Sequence, residues 1–164
     1  MSDTKIVSML STKGGTGKTT QTFNLGLWLA HEGYKVLLID HDHQCNLTQA
    51  FNIYEPENTI AGIYEKEFNA PAVQNVRDNL DLIAGSMHLD RISEGLNNRT
   101  QKEFIMYNWF SDHSDIINLD SYDYVLIDCH PDMGTMQKNA IMLSDHIRSE
   151  EHTLNSSHTD ISRM

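Results

Sequence analysis

The sequence is poor in cysteine and in basic residues, and it has no long apolar run. Its two cysteines, Cys45 and Cys129, are too few for a disulfide framework and fit a reducing cytoplasm. No segment approaches the roughly 20 apolar residues that a membrane-spanning helix needs. Residues 1–5 contain no apolar stretch of the signal-peptide type. We therefore expect a cytoplasmic protein without a membrane span.

Basic residues number 12 against 23 acidic ones, and the formal net charge is −11. Phosphate backbones select basic surfaces, so the overall field of this chain argues against nucleic-acid binding by the residues present. The hydrophobic content is 39%, and 164 residues are enough for one domain with one core.

Apolar runs of strand length alternate with helical patterns. Residues 36–39 are all apolar, as in a parallel strand that is buried on both faces. Residues 19–31 are predicted to be helical, because Phe23, Leu27 and Ala30 share one face. Further strands are predicted at residues 6–10, 80–84 and 122–128, and helices at 87–96, 103–117 and 135–144. This order predicts an α/β fold, with a mostly parallel sheet covered by helices on both faces.

A glycine-rich segment lies between the first strand and the first helix. Residues 13–20 read Lys-Gly-Gly-Thr-Gly-Lys-Thr-Thr. Its glycines allow a tight turn that points several N–H groups at one anion, and the following helix adds its positive end. Lys18 can reach the β- and γ-phosphates of a nucleotide, and the Thr19 hydroxyl can bind Mg²⁺. The segment therefore predicts a phosphate-binding loop.

Three acids follow predicted strands. Asp40 and Asp42 end the strand after the loop helix, and Asp128 ends a later one. Acids at such positions can reach a Mg²⁺ ion or a water molecule beside the γ-phosphate. Together with the loop, they indicate binding and hydrolysis of a magnesium-bound nucleoside triphosphate.

The loop departs from the ordinary Walker pattern, which has glycine where this chain has Thr12, and it begins with a second lysine, Lys13. With the segments 39–48 and 123–132, it resembles the ParA/MinD/Soj family of deviant Walker ATPases. Within the family, the sequence is most similar to the plasmid and chromosome partition ParA branch. The family usually has proline where His43 stands.

The resemblance covers residues 5–147, and the family domain continues well beyond this chain. It implies a P-loop NTPase fold that is incomplete at the C-terminus. We expect residues 1–147 to form the N-terminal part of the ATPase domain, and residues 148–164 to be a disordered or non-native tail. Truncation also predicts that residues 125–127 lack a neighbouring strand.

The resemblance also implies roles for single residues. Lys13 reaches across a dimer interface to the partner's phosphates, Lys18 holds the β- and γ-phosphates, and Asp42 positions or activates the attacking water. Thr19, Asp40 and Asp128 hold Mg²⁺ or its water shell. The implied ATP-binding residues are Lys13, Gly14, Gly15, Thr16, Gly17, Lys18, Thr19, Thr20 and Gly134.

The implied partners are a second copy, bound in an ATP-dependent homodimer, and a ParB-type adaptor that stimulates hydrolysis. Non-specific DNA would bind through a region beyond this chain and place the complete protein on the nucleoid. One alternative is a MinD-like site-selection ATPase that docks on membrane. Another is a nucleotide-binding regulatory fragment without turnover.

Potential metal ligands cluster in the same loops. His41, His43 and Cys45 lie close in sequence, and Cys129 and His130 follow a strand whose end should lie nearby. Zinc uses such ligands, but the spacing matches no structural zinc motif. We therefore interpret these residues as polar side chains of nucleotide switches, and a Cys45–Cys129 redox pair is disfavoured in a reducing compartment.

Overall fold

The computed structural model describes residues 4–11, 15, 17–131 and 134–149. The strands are β1 (Lys5–Leu10), β2 (Val36–His41), β3 (Val73–Arg77), β4 (Leu80–Ile83), β5 (Tyr124–Cys129) and β6 (His146–Ser149). The α-helices are α1 (Lys18–His31), α2 (Asn46–Ala50), α3 (Leu89–Gly95), α4 (Ile105–Asp112) and α5 (Thr135–Leu143). Three 3₁₀ helices span Ile60–Ile63, Lys102–Phe104 and Leu119–Ser121.

The strands form one sheet in the order β3-β4-β2-β5-β1-β6. All neighbouring pairs are parallel except β3 and β4, which form an antiparallel pair at one edge. The predicted α/β fold with a mostly parallel sheet is confirmed. The prediction that residues 125–127 lack a neighbouring strand is wrong, because β5 lies between β2 and β1.

Both faces of the sheet are covered. Leu37 and Ile39 of β2 pack into a core on the face of α3, α4 and α5. Val36 and Leu38 pack into a second core with Leu29 of α1 on the opposite face. Because successive strand residues point to opposite sides, the continuous apolar run of β2 supplies both cores.

The helix predicted at residues 19–31 is confirmed as α1, and Phe23, Leu27 and Ala30 all pack at the second core, although the first two are only partly buried and the small side chain of Thr22 is fully buried. A later helix differs from its sequence prediction. The predicted helix at residues 103–117 is a 3₁₀ turn followed by α4, which ends at Asp112. The His113 ring contacts the Trp109 carbonyl, Nδ1–O 2.9 Å, at this helix end, and turns follow. Small residues at a helix–sheet contact and polar helix ends are both weak signals in an apolar pattern.

The strand β6 includes Arg148 and Ser149, which pair with Met9 and Leu10 of β1. The first two residues of the predicted tail, Arg148 and Ser149, therefore belong to β6 and are not part of a disordered segment. Residues 150–164 lie outside the described residues.

The buried Asn139 side chain of α5 connects three backbone segments. Its Oδ1 accepts from the Met106 amide at 3.0 Å, and its Nδ2 donates to the carbonyls of Lys102 (2.7 Å) and Thr135 (2.9 Å). We expect Asn139→Ala to lower the free energy of unfolding by about 2 kcal/mol, because buried partners lose their hydrogen bonds. Urea denaturation measures this loss. The exposed Asn97→Ala is the matched control, and equal stability of both variants would contradict the assignment.

Candidate nucleotide-binding site

The carboxyl ends of β2 and β5 meet beside the N-terminus of α1. In the register of the two strands, Asp40 pairs with Asp128 and His41 with Cys129. The two predicted magnesium-binding acids therefore lie side by side on neighbouring strands. Asp42 follows His41 at the end of β2, and His130 follows Cys129 at the end of β5. The same register therefore brings Asp42 and His130 together.

The Asp40 carboxyl is fully buried and anchors the loop after β2. Its Oδ2 accepts from the Thr48 amide at 2.8 Å and from the Thr48 hydroxyl at 2.6 Å, and its Oδ1 accepts from the Asp42 amide at 3.3 Å. The Thr48 hydroxyl in turn accepts from the Gly85 amide at 2.8 Å. A Cβ atom at Gly85 would lie 2.8 Å from the Asp40 carboxyl carbon, so a side chain there would displace the acid.

Burial raises the pKa of Asp40 to about 7, despite the hydrogen bonds from Thr48, which act in the opposite direction. The neighbouring charge of Asp128 raises this pKa further. A buried acid with a pKa near neutrality lacks a compensating cation.

Asp128 is 1% exposed, and within the described part of the chain neither of its carboxylate oxygens accepts a well-formed hydrogen bond. Burial raises its pKa to about 6, while the Thr19 and Thr22 hydroxyls and the Lys18 ammonium lie near enough to act in the opposite direction. Buried oxygens without firm donors are unusual and call for a ligand. A hydrated Mg²⁺ ion, for which carboxylates and a Thr19 hydroxyl are suitable partners, fits this arrangement.

Gly15 and Gly17 have φ angles of +75° and +78°, a backbone conformation that favours glycine. Gly17 caps α1, and the Lys18 side chain that follows is 9% exposed. Thr19 is partly buried and Thr20 is exposed. Thus the described part of the predicted loop turns tightly into a helix N-terminus beside two buried acids. Lys13, Gly14 and Thr16 lie outside the described residues.

Asp42 is close to two histidines. Its Oδ1 lies 3.0 Å from His130 Nδ1 and 3.8 Å from His43 Nδ1, and it also accepts from the Gln44 amide at 2.9 Å. The two imidazole rings are 4.3 Å apart between centroids. Gly134, the remaining predicted nucleotide contact, caps α5 beyond the loop that follows His130.

The other potential metal ligands do not join this group. His41 is buried, with Nε2 2.7 Å from the Tyr64 hydroxyl, and burial lowers its pKa to about 4. Cys45 and Cys129 are free thiols, and burial raises the pKa of Cys45 to about 12. Burial also raises the pKa of the Cys129 thiol, so both thiols are protonated at neutral pH.

Two contributors to the site were missed in the sequence. Thr48 and Gly85 hold Asp40, although they lie 8 and 45 residues further along the chain. A glycine directly after an apolar strand was the available signal for Gly85, because such positions often mark a close backbone approach.

A glycine turn leading into a buried helix N-terminus, beside strand-end acids of a parallel sheet, defines a P-loop nucleotide-binding fold. The family model described as "AAA domain" matches residues 4–149. The chain belongs to this family, as a member of its ParA/MinD/Soj group of P-loop ATPases.

Three relatives illustrate the similarity. The sporulation initiation inhibitor protein Soj of Bacillus subtilis is 31% identical over 87% of this chain and 56% of its own length. A plasmid partition protein of Borrelia burgdorferi, solved with AMPPNP, superposes with a TM-score of 0.76 at 31% identity, over 88% of this chain and 61% of that one. A McdA–ATP complex from Cyanothece gives a TM-score of 0.76 at 26% identity, over 91% and 56%. The chain spans about half the length of the curated relatives it matches.

Of the helices in the described ranges, none combines the length and the apolar character needed to cross a bilayer.

Proposed function

We propose that this chain is the nucleotide-binding part of a partition ATPase that binds Mg·ATP and hydrolyses it slowly. The observation that carries the proposal is the pair of buried acids, Asp40 and Asp128, beside the N-terminus of α1. Burial raises the pKa of both carboxyls, which supports a site where added positive charge would stabilise their ionised forms. A site of this kind favours a divalent cation, and the adjacent glycine turn supplies a place for phosphates.

The residues divide into binding and hydrolytic roles. Lys18 binds the β- and γ-phosphates together with the loop amides, and Thr19, Asp40 and Asp128 hold Mg²⁺ or its water shell. When bound, Mg²⁺ neutralises the charge that develops on the phosphates. The Asp128 oxygens make fewer hydrogen bonds than those of Asp40, so Asp128 is the better direct ligand for Mg²⁺. Asp40 also fixes the loop after β2 through its hydrogen bond with Thr48.

Asp42 is the residue that we assign to the attacking water. It extends beyond β2, and its carboxylate is oriented by the Gln44 amide and by His130. Phosphoryl transfer depends mainly on positioning and charge neutralisation. A carboxylate that is fixed in orientation beside the attacking water meets the first of these needs.

The partners follow from the relatives. Soj and the Borrelia protein carry names that refer to sporulation control and plasmid partition. We propose that ATP joins two copies, with Lys13 reaching the partner's phosphates, and that a ParB-type adaptor stimulates hydrolysis. DNA binding would need residues beyond this chain, because the residues present are strongly acidic.

Turnover of radiolabelled ATP tests the assignment of Asp42. We expect Asp42→Ala to lower turnover at least about 10-fold while ATP affinity stays near that of the wild type, since the variant loses water positioning but keeps the phosphate contacts. Asp78→Ala, an exposed acid in the β3–β4 turn, is the control. Binding without turnover in both wild type and variant would instead support a nucleotide-binding fragment without hydrolysis.

A further inference from the structure

We propose that Asp42, His43 and His130 form a binding site for one divalent transition-metal ion of the zinc class. This site differs from the proposed magnesium site, which uses Thr19, Asp40 and Asp128. Both sites lie at the carboxyl ends of β2 and β5, and the zinc-class site uses Asp42, the carboxylate that we assign to the attacking water, but its occupation does not require nucleotide.

The distances suit such an ion. The three potential ligand atoms, one from each residue, lie within 4.8 Å of one another. Asp42 Oδ1 is 3.0 Å from His130 Nδ1 and 3.8 Å from His43 Nδ1. Ligands about 2.0–2.1 Å from a tetrahedral zinc ion are separated by roughly 3.3 Å, and these two distances bracket that value.

The fold holds one ligand, Asp42, in a buried position and leaves the two histidine ligands partly exposed. Asp42 and His43 follow β2, and His130 follows β5, so the register of neighbouring parallel strands places them side by side. The Asp42 side chain is 8% exposed, whereas those of His43 and His130 are 31% and 25% exposed. Partial exposure lets the imidazoles rotate onto an ion and leaves a fourth position for water, as in open zinc sites.

The surroundings also favour a cation. His41, His43 and His130 line a cavity of about 20 Å³, large enough for one ion or water molecule. The buried Nδ1 of His41 has no hydrogen-bond partner among the described residues. The carboxyls of Asp40 and Asp128 lie on the same strand ends and make the local potential negative. Imidazole ligands select zinc-like ions over Mg²⁺, which prefers oxygen.

Competition with a chromophoric zinc chelator, on metal-free protein without nucleotide, tests the proposal. We expect one Zn²⁺ per chain, retained in a large excess of Mg²⁺. His43→Phe and His130→Phe keep a planar ring but remove the ligand, and each should weaken Zn²⁺ binding at least about 10-fold. His130→Asn keeps an N–H donor for Asp42, and it should also lose affinity if the imidazole is a ligand rather than a hydrogen-bond donor only.

Other histidines provide the controls. His31→Ala removes an imidazole that is 85% exposed at the end of α1. A double variant of His152 and His158, which lie outside the described residues, removes the histidines of the C-terminal segment. Both should bind Zn²⁺ like the wild type. Unchanged affinity in the His43 and His130 variants, or loss in the His152/His158 variant alone, would overturn the proposal. Because nucleotide is absent, this outcome is independent of ATP binding.

Discussion

Replacing Lys18 with methionine is expected to weaken Mg·ATP binding on the order of 100-fold. Lys18 follows the glycine cap of α1, and its side chain is 9% exposed. Removing one partner of a buried charge pair costs about 2–5 kcal/mol, and each 1.4 kcal/mol is a tenfold change in affinity. Methionine fills a similar volume, so the packing of α1 against the sheet should remain.

Isothermal titration calorimetry with a non-hydrolysable ATP analogue and Mg²⁺ measures this effect. Lys66→Met is the matched control, since Lys66 is exposed and lies outside the candidate site. Circular dichroism would show that both variants are folded. If both proteins are folded and bind the nucleotide with equal affinity, Lys18 does not bind the phosphates, and the proposed binding mode is wrong.

The strand–loop–helix unit around Lys18 could be predicted because its signals are local. An apolar strand, a glycine-rich turn and an amphipathic helix follow one another within about 30 residues. The strand-end positions of Asp40 and Asp128 were also predictable, since apolar runs of strand length precede both acids. Their pairing was not, because strand order depends on packing between distant segments, and the sheet places β5 between β2 and β1.

The contacts that set the properties of the acids could not be read from the sequence. Thr48 and Gly85 reach Asp40 only after α2 and β4 are in place. The convergence of His43 and His130 on Asp42 likewise needs the β2–β5 register. The sequence showed these residue types near strand ends, but without distances it could not separate a ligand cluster from solvated loop side chains. For the same reason the sequence places His41 and Cys45 in one set of potential metal ligands with His43. In the structure the His41 ring is instead hydrogen-bonded to the Tyr64 hydroxyl.

The second large effect is a pH-dependent difference in stability between wild type and Asp40→Asn. The pKa of Asp40 is raised from 3.8 to about 7, mainly by burial. The folded state therefore binds this proton more tightly than the unfolded state does. As pH rises from about 4 to 7, ionisation of Asp40 costs the folded protein free energy, and its contribution to stability falls.

Asparagine at position 40 does not titrate, so the variant should gain stability relative to the wild type as pH rises through this window. Three pKa units at about 1.4 kcal/mol each give a relative gain on the order of 4 kcal/mol between pH 4 and pH 8. His41 also makes stability depend on pH: its lowered pKa makes stability rise with pH from about 4 to 6.5. Because both proteins contain His41, this contribution cancels in the difference between them.

Urea denaturation in magnesium-free buffer across this pH range measures the difference. Asparagine changes the hydrogen bonds to Thr48 and Asp42, but this constant cost shifts the whole curve and leaves its slope unaffected. Asp78→Asn removes an exposed acid instead and should give a curve parallel to that of the wild type. If the Asp40→Asn curve were also parallel, Asp40 would be ionised throughout, and the uncompensated buried charge on which the magnesium site depends would not exist.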